Sequence, residues 1–335
     1  MPQFEMLSLC GLAFKEDVSF LRIARAGRRP ENDPTGSDKR RTAMLSGSIV
    51  ALVTPFRDDG TIDFDAMERL IEFQIANGTD GILVMGTTGE SSTTTHEEDF
   101  QIFNFARKVI NGRVKMLASG SSNSTQTQLE KCRRFTAAGV DGLLCIAPYY
   151  NKANEEGMYR HFATVADEIE IPMILYNVPS RTGSSISPSV VGRLAKHEMI
   201  QGIKEASGNF DYIMKIAGYL SDDFVMFSGN DNIVVPMMSV GAKGVISVWA
   251  NIQPKECSEM VHAYLDGEHE KAAKMQLHYL KLINALFCEV NPIPVKAALK
   301  MMGLIGSGHL RLPLYDLAEN HRAELEGILK EYELI

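Results

Sequence analysis

Short apolar runs alternate with longer amphipathic stretches from residue 48 onward. The runs are continuously hydrophobic, as strands buried on both faces of a sheet are. Eight of them have the length of strands: residues 49–53, 81–85, 114–118, 142–146, 173–176, 201–204, 224–227 and 244–248. Because parallel strands need helical crossovers between them, this order predicts a repeated strand and helix unit.

The intervening stretches carry apolar residues at helical spacing. In the first, Phe64, Met67 and Leu70 fall on one face, and an Asn-Gly pair at 77–78 supplies a helix stop. Similar helices are predicted over residues 97–110, 125–138, 155–169, 188–197, 210–220, 232–240 and 254–265. The eight units predict an α/β fold, a (β/α)8 TIM barrel, for which about 250 residues is typical.

Three segments are predicted along the chain. Residues 1–43 are rich in Arg, Gly, Pro and Asp and predict a disordered extension, with Met44 interpreted as the natural start. Acidic residues in this segment argue against a transit peptide. Residues 44–267 form the predicted barrel, and 268–335 a small C-terminal helical domain, with helices over 268–289, 292–302 and 314–334.

Charge and cysteine content exclude several classes of protein. A net charge of -8 argues against nucleic-acid binding, and no run of about 18 apolar residues is present to span a membrane. The five cysteines include no Cys-x-x-Cys pair, and no histidines stand at zinc-ligand spacing. We therefore expect free thiols, no bound metal and a cytoplasmic location.

The active site of a TIM barrel forms at the carboxyl ends of its strands. There the sequence has GTTGE at 86–90, PYYN at 148–151, YNVPSRT at 176–182 and Lys204. The hydroxyls and backbone amides of the first turn suit a carboxylate. Tyrosines at such positions also serve as wall residues, and Arg181 as a solvated loop charge.

Lys204 ends the sixth apolar run. Burial lowers the pKa of a lysine and frees its amine to attack a carbonyl carbon, giving an iminium whose neighbouring carbon loses a proton readily. Tyr176 is the candidate carrier of that proton. Two alternatives remain: the lysine extends to water, or it pairs with Glu205.

Five motifs together resemble the 4-hydroxy-tetrahydrodipicolinate synthase family, also called dihydrodipicolinate synthase. They are GTTGE at 86–90, PYYN at 148–151, YNVPSRTG at 176–183, GIKEA at 202–206 and GVISV at 244–248. The similarity extends from Met44 to the C-terminus. It implies condensation of pyruvate with L-aspartate 4-semialdehyde in diaminopimelate and lysine synthesis.

The resemblance also implies the catalytic residues. Lys204 would form the Schiff base with pyruvate, and Tyr176, Thr87 and Tyr150 would relay protons, with Tyr150 reaching across from a neighbouring subunit. The resemblance implies that the protein forms a homotetramer, a dimer of dimers. The family needs no cofactor because the lysine provides the electron sink, and the sequence contains no Gly-rich phosphate motif.

The resemblance further implies four substrate contacts. Thr88 would contact the pyruvate carboxylate, and Arg181 would hold the semialdehyde carboxylate, which a bidentate guanidinium suits. Gly229 and Ile246 would line the pocket through their backbone.

An allosteric lysine site is a further implication. The residues that fit the family's pattern are Ser91, His96, Asn123 and Tyr149. Asp99 replaces the usual histidine, and Thr127 replaces a glutamate that binds the effector's ammonium. We therefore expect weak inhibition by lysine or none.

Two alternative functions stay open. One is another pyruvate-dependent aldolase on the same scaffold, such as N-acetylneuraminate lyase or a keto-deoxy-sugar-acid aldolase. Thr87, the Tyr149-Tyr150 pair and Arg181 favour the synthase, because a sugar requires hydroxyl-matched contacts. The other is an inert barrel relative, against which the completeness of the site argues.

Overall fold

A computed structural model describes residues 45–335, so the predicted extension at 1–43 lies outside the described residues. Eight parallel strands close into a barrel in chain order, with β1 beside β8. The strands are β1 Gly47–Ala51, β2 Gly81–Val84, β3 Lys115–Ser119, β4 Gly142–Ile146, β5 Met173–Asn177, β6 Ile200–Glu205, β7 Val225–Ser228 and β8 Gly244–Ser247. The predicted TIM barrel is confirmed.

Helices connect the strands and continue after the last one. They are α1 Phe64–Ala76, α2 His96–Ile110, α3 Thr125–Ala137, α4 Glu155–Ala166, α5 Pro179–Thr182, α6 Pro188–Leu194, α7 Phe210–Ala217, α8 Val234–Ser239, α9 Pro254–Leu265, α10 His269–Ala285, α11 Ile293–Met301 and α12 Glu319–Glu331. None of these helices has the length and apolar character needed to cross a membrane.

Several predicted helices differ from the structure at their ends, and one short helix was not predicted. The one predicted over 314–334 was wrong in its first residues: α12 begins at Glu319, after a segment at 314–318 without regular secondary structure. The one predicted over 232–240 is a 3-10 turn at Asp231–Ile233 followed by α8. The short α5 was not predicted, because four residues after a strand are too few to show a helical period.

Two apolar layers form the core. Alternate strand residues such as Ile49, Leu117 and Phe227 fill the barrel interior, and their neighbours pack outward against the helices. The interior layer closes the barrel below the carboxyl ends of the strands. A site at those ends is therefore open to solvent from one side only.

The helices after α9 pack against the barrel. α10 contacts α9, and α12 contacts α10 and α11, and all belong to one compact unit with the strands. The boundary predicted at residue 267 falls between α9 and α10. A separate domain there stays a prediction.

Barrel closure depends on two glycines that face each other across β1 and β8. Gly47 pairs with Gly244, and both have positive φ, +95° and +147°. A Cβ on Gly244 would lie 1.9 Å from the Gly47 carbonyl oxygen. Backbone cannot move away as a flexible side chain can, so this position requires glycine.

Gly244→Ala is expected to lower the free energy of unfolding by about 3 kcal/mol or more, because it combines backbone strain with a clash against backbone. Urea unfolding followed by circular dichroism measures the change. Gly327→Ala is the control, since Gly327 is exposed in α12 with nothing near its Cβ position. An unchanged midpoint for Gly244→Ala would contradict the closure argument.

Candidate active site

Lys204 lies inside the barrel at the carboxyl end of β6. Its side chain is buried, and its register partner on β5 is Tyr176. The Nζ atom is 4.7 Å from the centre of the Tyr176 ring. Burial, with a smaller contribution from Arg181, lowers the pKa of Lys204 to about 8, and the negative charge of Asp231 partly opposes the change. The neutral amine is therefore far more populated near neutral pH than in an ordinary lysine.

Glu205 does not pair with this lysine. Its carboxylate accepts hydrogen bonds from Asn177 Nδ2 at 2.7 Å and from the Ser207 amide at 2.5 Å. Because successive strand residues point to opposite faces, Lys204 faces the barrel interior and Glu205 faces away from it. Both structural alternatives for Lys204 are wrong: its amine is neither paired with Glu205 nor extended to water.

Tyr176 is the nearest candidate for proton transfer. Burial raises the pKa of its hydroxyl, and the charge of Arg181 together with a hydrogen bond to Thr87 counteracts the rise. The phenol therefore stays protonated at neutral pH and can donate. The contact with Thr87 links the tyrosine to the turn at 86–90.

Arg181 and Thr88 are joined by a residue that the sequence analysis missed. Asn291 accepts a hydrogen bond from Arg181 Nη2 through its carbonyl at 3.1 Å and donates from its side chain to Thr88 Oγ1 at 3.0 Å. It precedes α11 and is buried. In the sequence it lies between the helices predicted over 268–289 and 292–302, where no local signal pointed to this role.

A cavity of about 150 Å³ lies at the centre of these residues. Its lining includes Thr87, Thr88, Tyr176, Arg181, Lys204, Gly229 and Asn291. The structure thus brings six predicted site residues to one cavity. Ile246 lies in the barrel interior on β8, and Val248, two residues later, is the lining residue of that segment.

Tyr150 is outside this group. Its side chain is 91% exposed, and its backbone has a φ of +71°. It does not line the cavity that holds Lys204. Tyr150 is therefore the predicted catalytic residue that the structure does not bring to this cavity.

A second cavity of about 430 Å³ adjoins the first. Three of the predicted allosteric residues, Ser91, His96 and Tyr149, line it. Asn123 does not line this cavity, although its side-chain amide donates to the Tyr149 carbonyl at 3.2 Å. Thr87 and Tyr176 also line it, so the cavity connects the catalytic face to the surface near Tyr149.

The second cavity contains an internal ion pair. Lys131 Nζ lies 2.9 Å from Asp99 Oδ2, and Thr94 donates to the other carboxylate oxygen at 2.6 Å. Asp99 is buried, and Thr127, on the same wall, is uncharged. The carboxylate of Asp99 is therefore already paired with a cation of the same chain. Between residues 45 and 335 no cluster of acidic, histidine or cysteine side chains suits a metal ion.

A TIM barrel with a buried lysine of lowered pKa beside a tyrosine defines a lyase of the class I aldolase type. The chain belongs to the Dihydrodipicolinate synthetase family, which matches residues 44–332.

Individual relatives agree with the family. The chain is 46% identical over 292 residues to the 4-hydroxy-tetrahydrodipicolinate synthase of Pelobacter propionicus, covering 87% of this chain and all of that protein. The dihydrodipicolinate synthase of Aquifex aeolicus is 43% identical with a TM-score of 0.84, covering 87% and 99% of the two chains. The Acinetobacter baumannii enzyme, solved as a complex with pyruvate, is 41% identical with a TM-score of 0.85, covering 87% and 100%.

The lowered pKa gives a prediction that requires no substrate. Lys204 is protonated below its pKa of about 8, so its labelling by trace acetic anhydride should rise through pH 8 and level off above it. An ordinary lysine continues to gain reactivity up to about pH 10.4. Peptide mass analysis across a pH series measures the profile, with exposed Lys274 as an internal reference. A Lys204 profile that is half-complete only near pH 10.4 would contradict the assignment.

Proposed function

We propose that the protein condenses pyruvate with L-aspartate 4-semialdehyde to give 4-hydroxy-2,3,4,5-tetrahydrodipicolinate, the first committed step of diaminopimelate and lysine synthesis. One observation carries the proposal: the buried amine of Lys204 shares a cavity with a phenol, two threonines and a guanidinium. The family membership supports the same reaction. We expect this enzyme to be located in the cytoplasm.

The pyruvate half of the reaction uses the neutral amine. Lys204 Nζ attacks the ketone carbon of pyruvate, and the ketone oxygen leaves as water, which forms an iminium. The positive nitrogen withdraws electrons, so the methyl carbon loses a proton and becomes an enamine nucleophile. Tyr176 and Thr87, in contact with each other, are the groups that carry the proton. Thr88 holds the carboxylate.

The second half requires an aldehyde in reach of the enamine. The enamine carbon attacks the aldehyde carbon of the semialdehyde, and the substrate's own amine then attacks the iminium carbon and releases Lys204. Arg181 is suited to the semialdehyde carboxylate because its guanidinium donates in a fixed fork. Its bond to the Asn291 carbonyl sets the direction of that fork.

The proton relay requires a second copy of the chain. Tyr150 is exposed and lies outside its own cavity, while the larger cavity runs from Tyr176 to the surface at Tyr149. A neighbouring copy that docks on this surface would bring its Tyr150 toward Tyr176. This geometry supports a tight dimer as the active unit, with a homotetramer as the dimer of such dimers.

Two substitutions are expected to separate the halves of the reaction. In Lys204→Ala, no pyruvate adduct should survive borohydride reduction, and kcat should fall by about a thousandfold or more because the nucleophile is lost. In Arg181→Ala, the adduct on Lys204 should persist while KM for the semialdehyde rises by about tenfold or more. Intact mass, peptide mapping and steady-state kinetics measure these outcomes.

Arg193→Ala is the control, because Arg193 forms a surface pair with Glu156 away from the site. Its kinetics should equal those of the wild type. An adduct on another lysine would overturn the mechanism. Faster turnover with N-acetylmannosamine than with the semialdehyde would instead favour the alternative function, N-acetylneuraminate lyase.

Lysine is expected to inhibit weakly or not at all. Asp99 is already paired with Lys131, and Thr127 provides no charge for an ammonium group. The loss of one charge-assisted bond costs about 1.5 to 3 kcal/mol, which is roughly tenfold or more in affinity. A dose response with L-lysine measures it, with L-leucine as the control. Strong inhibition at micromolar lysine would contradict this expectation.

A further inference from the structure

A second buried lysine lies behind the active-site turn. Lys296, on α11, and Glu90, which ends the turn at 86–90, are both fully buried, with Nζ and Oε1 2.7 Å apart. Lys296 Nζ also donates to the Thr54 carbonyl at 3.1 Å and to the His309 carbonyl at 2.5 Å. All three ammonium hydrogens are thus used.

The Glu90 carboxylate is equally engaged. Its other oxygen accepts from the Arg311 amide at 3.1 Å. The guanidinium of Arg311 forms a two-pronged pair with Glu98 and, like Lys296 Nζ, lies 4.4 Å from the centre of the Phe56 ring. Burying the Lys296–Glu90 pair costs desolvation free energy that apolar side chains of the same volume would avoid. A contribution to folding stability therefore does not by itself explain why the Lys296–Glu90 pair is present.

The pair fixes a turn that has little freedom of its own. Glu90 has a φ of +56°, and a Cβ on Gly89 would lie 3.2 Å from the Leu52 carbonyl oxygen and from the backbone of Met85. Thr54 Oγ1 donates to the Gly89 carbonyl at 2.7 Å. The carboxyl end of the turn is thus held on several sides.

The same turn carries Thr87 and Thr88 into the cavity. The Glu90 amide donates to the Thr87 carbonyl at 3.1 Å, so displacement of Glu90 moves the threonine backbone. Asn291, five residues before Lys296, holds Thr88 from the same segment. Neither Lys296 nor Glu90 lines the cavity. They act only through the turn.

We propose that Lys296 and Glu90 are positioning residues that fix the Thr87-Thr88 turn for pyruvate binding and proton relay, so that the segment at 291–296 sets the geometry of the barrel's active site. The inference rests on the proposed condensation for its kinetic readout. It predicts a local effect on pyruvate, because Arg181, at the other side of the cavity, does not contact the Lys296–Glu90 pair.

The double variant Lys296→Met/Glu90→Gln tests the proposal, since it removes both charges and keeps the volumes. It should fold, but kcat/KM for pyruvate should fall about ten- to hundredfold, since small misplacements of reacting groups have effects of that size. Adduct formation on Lys204 should be slower, and KM for the semialdehyde should change much less. Hydrogen exchange at the Gly89 and Glu90 amides, which bond within the turn, should become faster.

Leu325→Ala, in α12, is the matched control for lost stability. Leu325 is buried in the helical layer away from the turn, so the substitution should lower Tm but leave kcat/KM and the exchange of the turn unchanged. A purely structural role for the Lys296–Glu90 pair predicts the same result for the double variant. Wild-type kinetics and exchange in that variant, at any Tm, would overturn the proposal.

If the double variant does not fold, the single variant Glu90→Gln tests the proposal. It keeps an amide oxygen for Lys296, so a smaller loss in kcat/KM for pyruvate and faster exchange of the turn are expected. Unchanged values in this variant would also overturn the proposal. If the wild type does not turn over pyruvate with the semialdehyde, the proposed function fails, and the exchange rates still test whether the pair fixes the turn.

Discussion

The interaction on which the site depends is the desolvation of one amine inside a closed barrel. Lys204 forms no salt bridge within the described part of the chain, and burial lowers its pKa to about 8. Burial lowers the pKa of Lys296 as well, but the Glu90 carboxylate, 2.7 Å from its amine, opposes that shift. The two lysines therefore differ in what the low-dielectric interior leaves them: the amine of Lys204 has no paired carboxylate and loses its proton more readily, and the amine of Lys296 forms a structural bond with Glu90.

Barrel closure is what makes this desolvation possible. The interior layer, with Leu117 and Phe227, excludes water below the lysine, and the Gly47 and Gly244 pair completes the ring of strands. Tyr176 then lies beside Lys204 by register alone, since the two are partners on β5 and β6. The proposed nucleophile and its proposed proton carrier are therefore placed by the strands and do not depend on loop conformation.

The sequence predicted the parts that have local signals. Continuous apolar runs indicated eight parallel strands, and Lys204 stood at the end of one of them. Contacts between distant segments left no such signal. Asn291 meets Thr88 across 203 positions, and Lys296 meets Glu90 across 206. A lysine on an apolar helix and an asparagine before a proline each have common structural explanations, so only the folded chain reveals that they converge on one turn.

In the proposed reaction, selectivity for the second substrate arises outside the strands. Lys204 and Tyr176 are proposed to carry out the pyruvate chemistry, which related aldolases share, so they cannot distinguish an aldehyde acid from a sugar. Arg181 can, and its guanidinium is oriented by the Asn291 carbonyl from the segment before α11. That segment also holds the Thr87-Thr88 turn, which is the proposed pyruvate-binding element. The helices that follow the barrel therefore connect the two substrate-binding elements, because Asn291 holds Arg181 on one side of the cavity and Lys296 holds the Thr87-Thr88 turn, through Glu90, on the other.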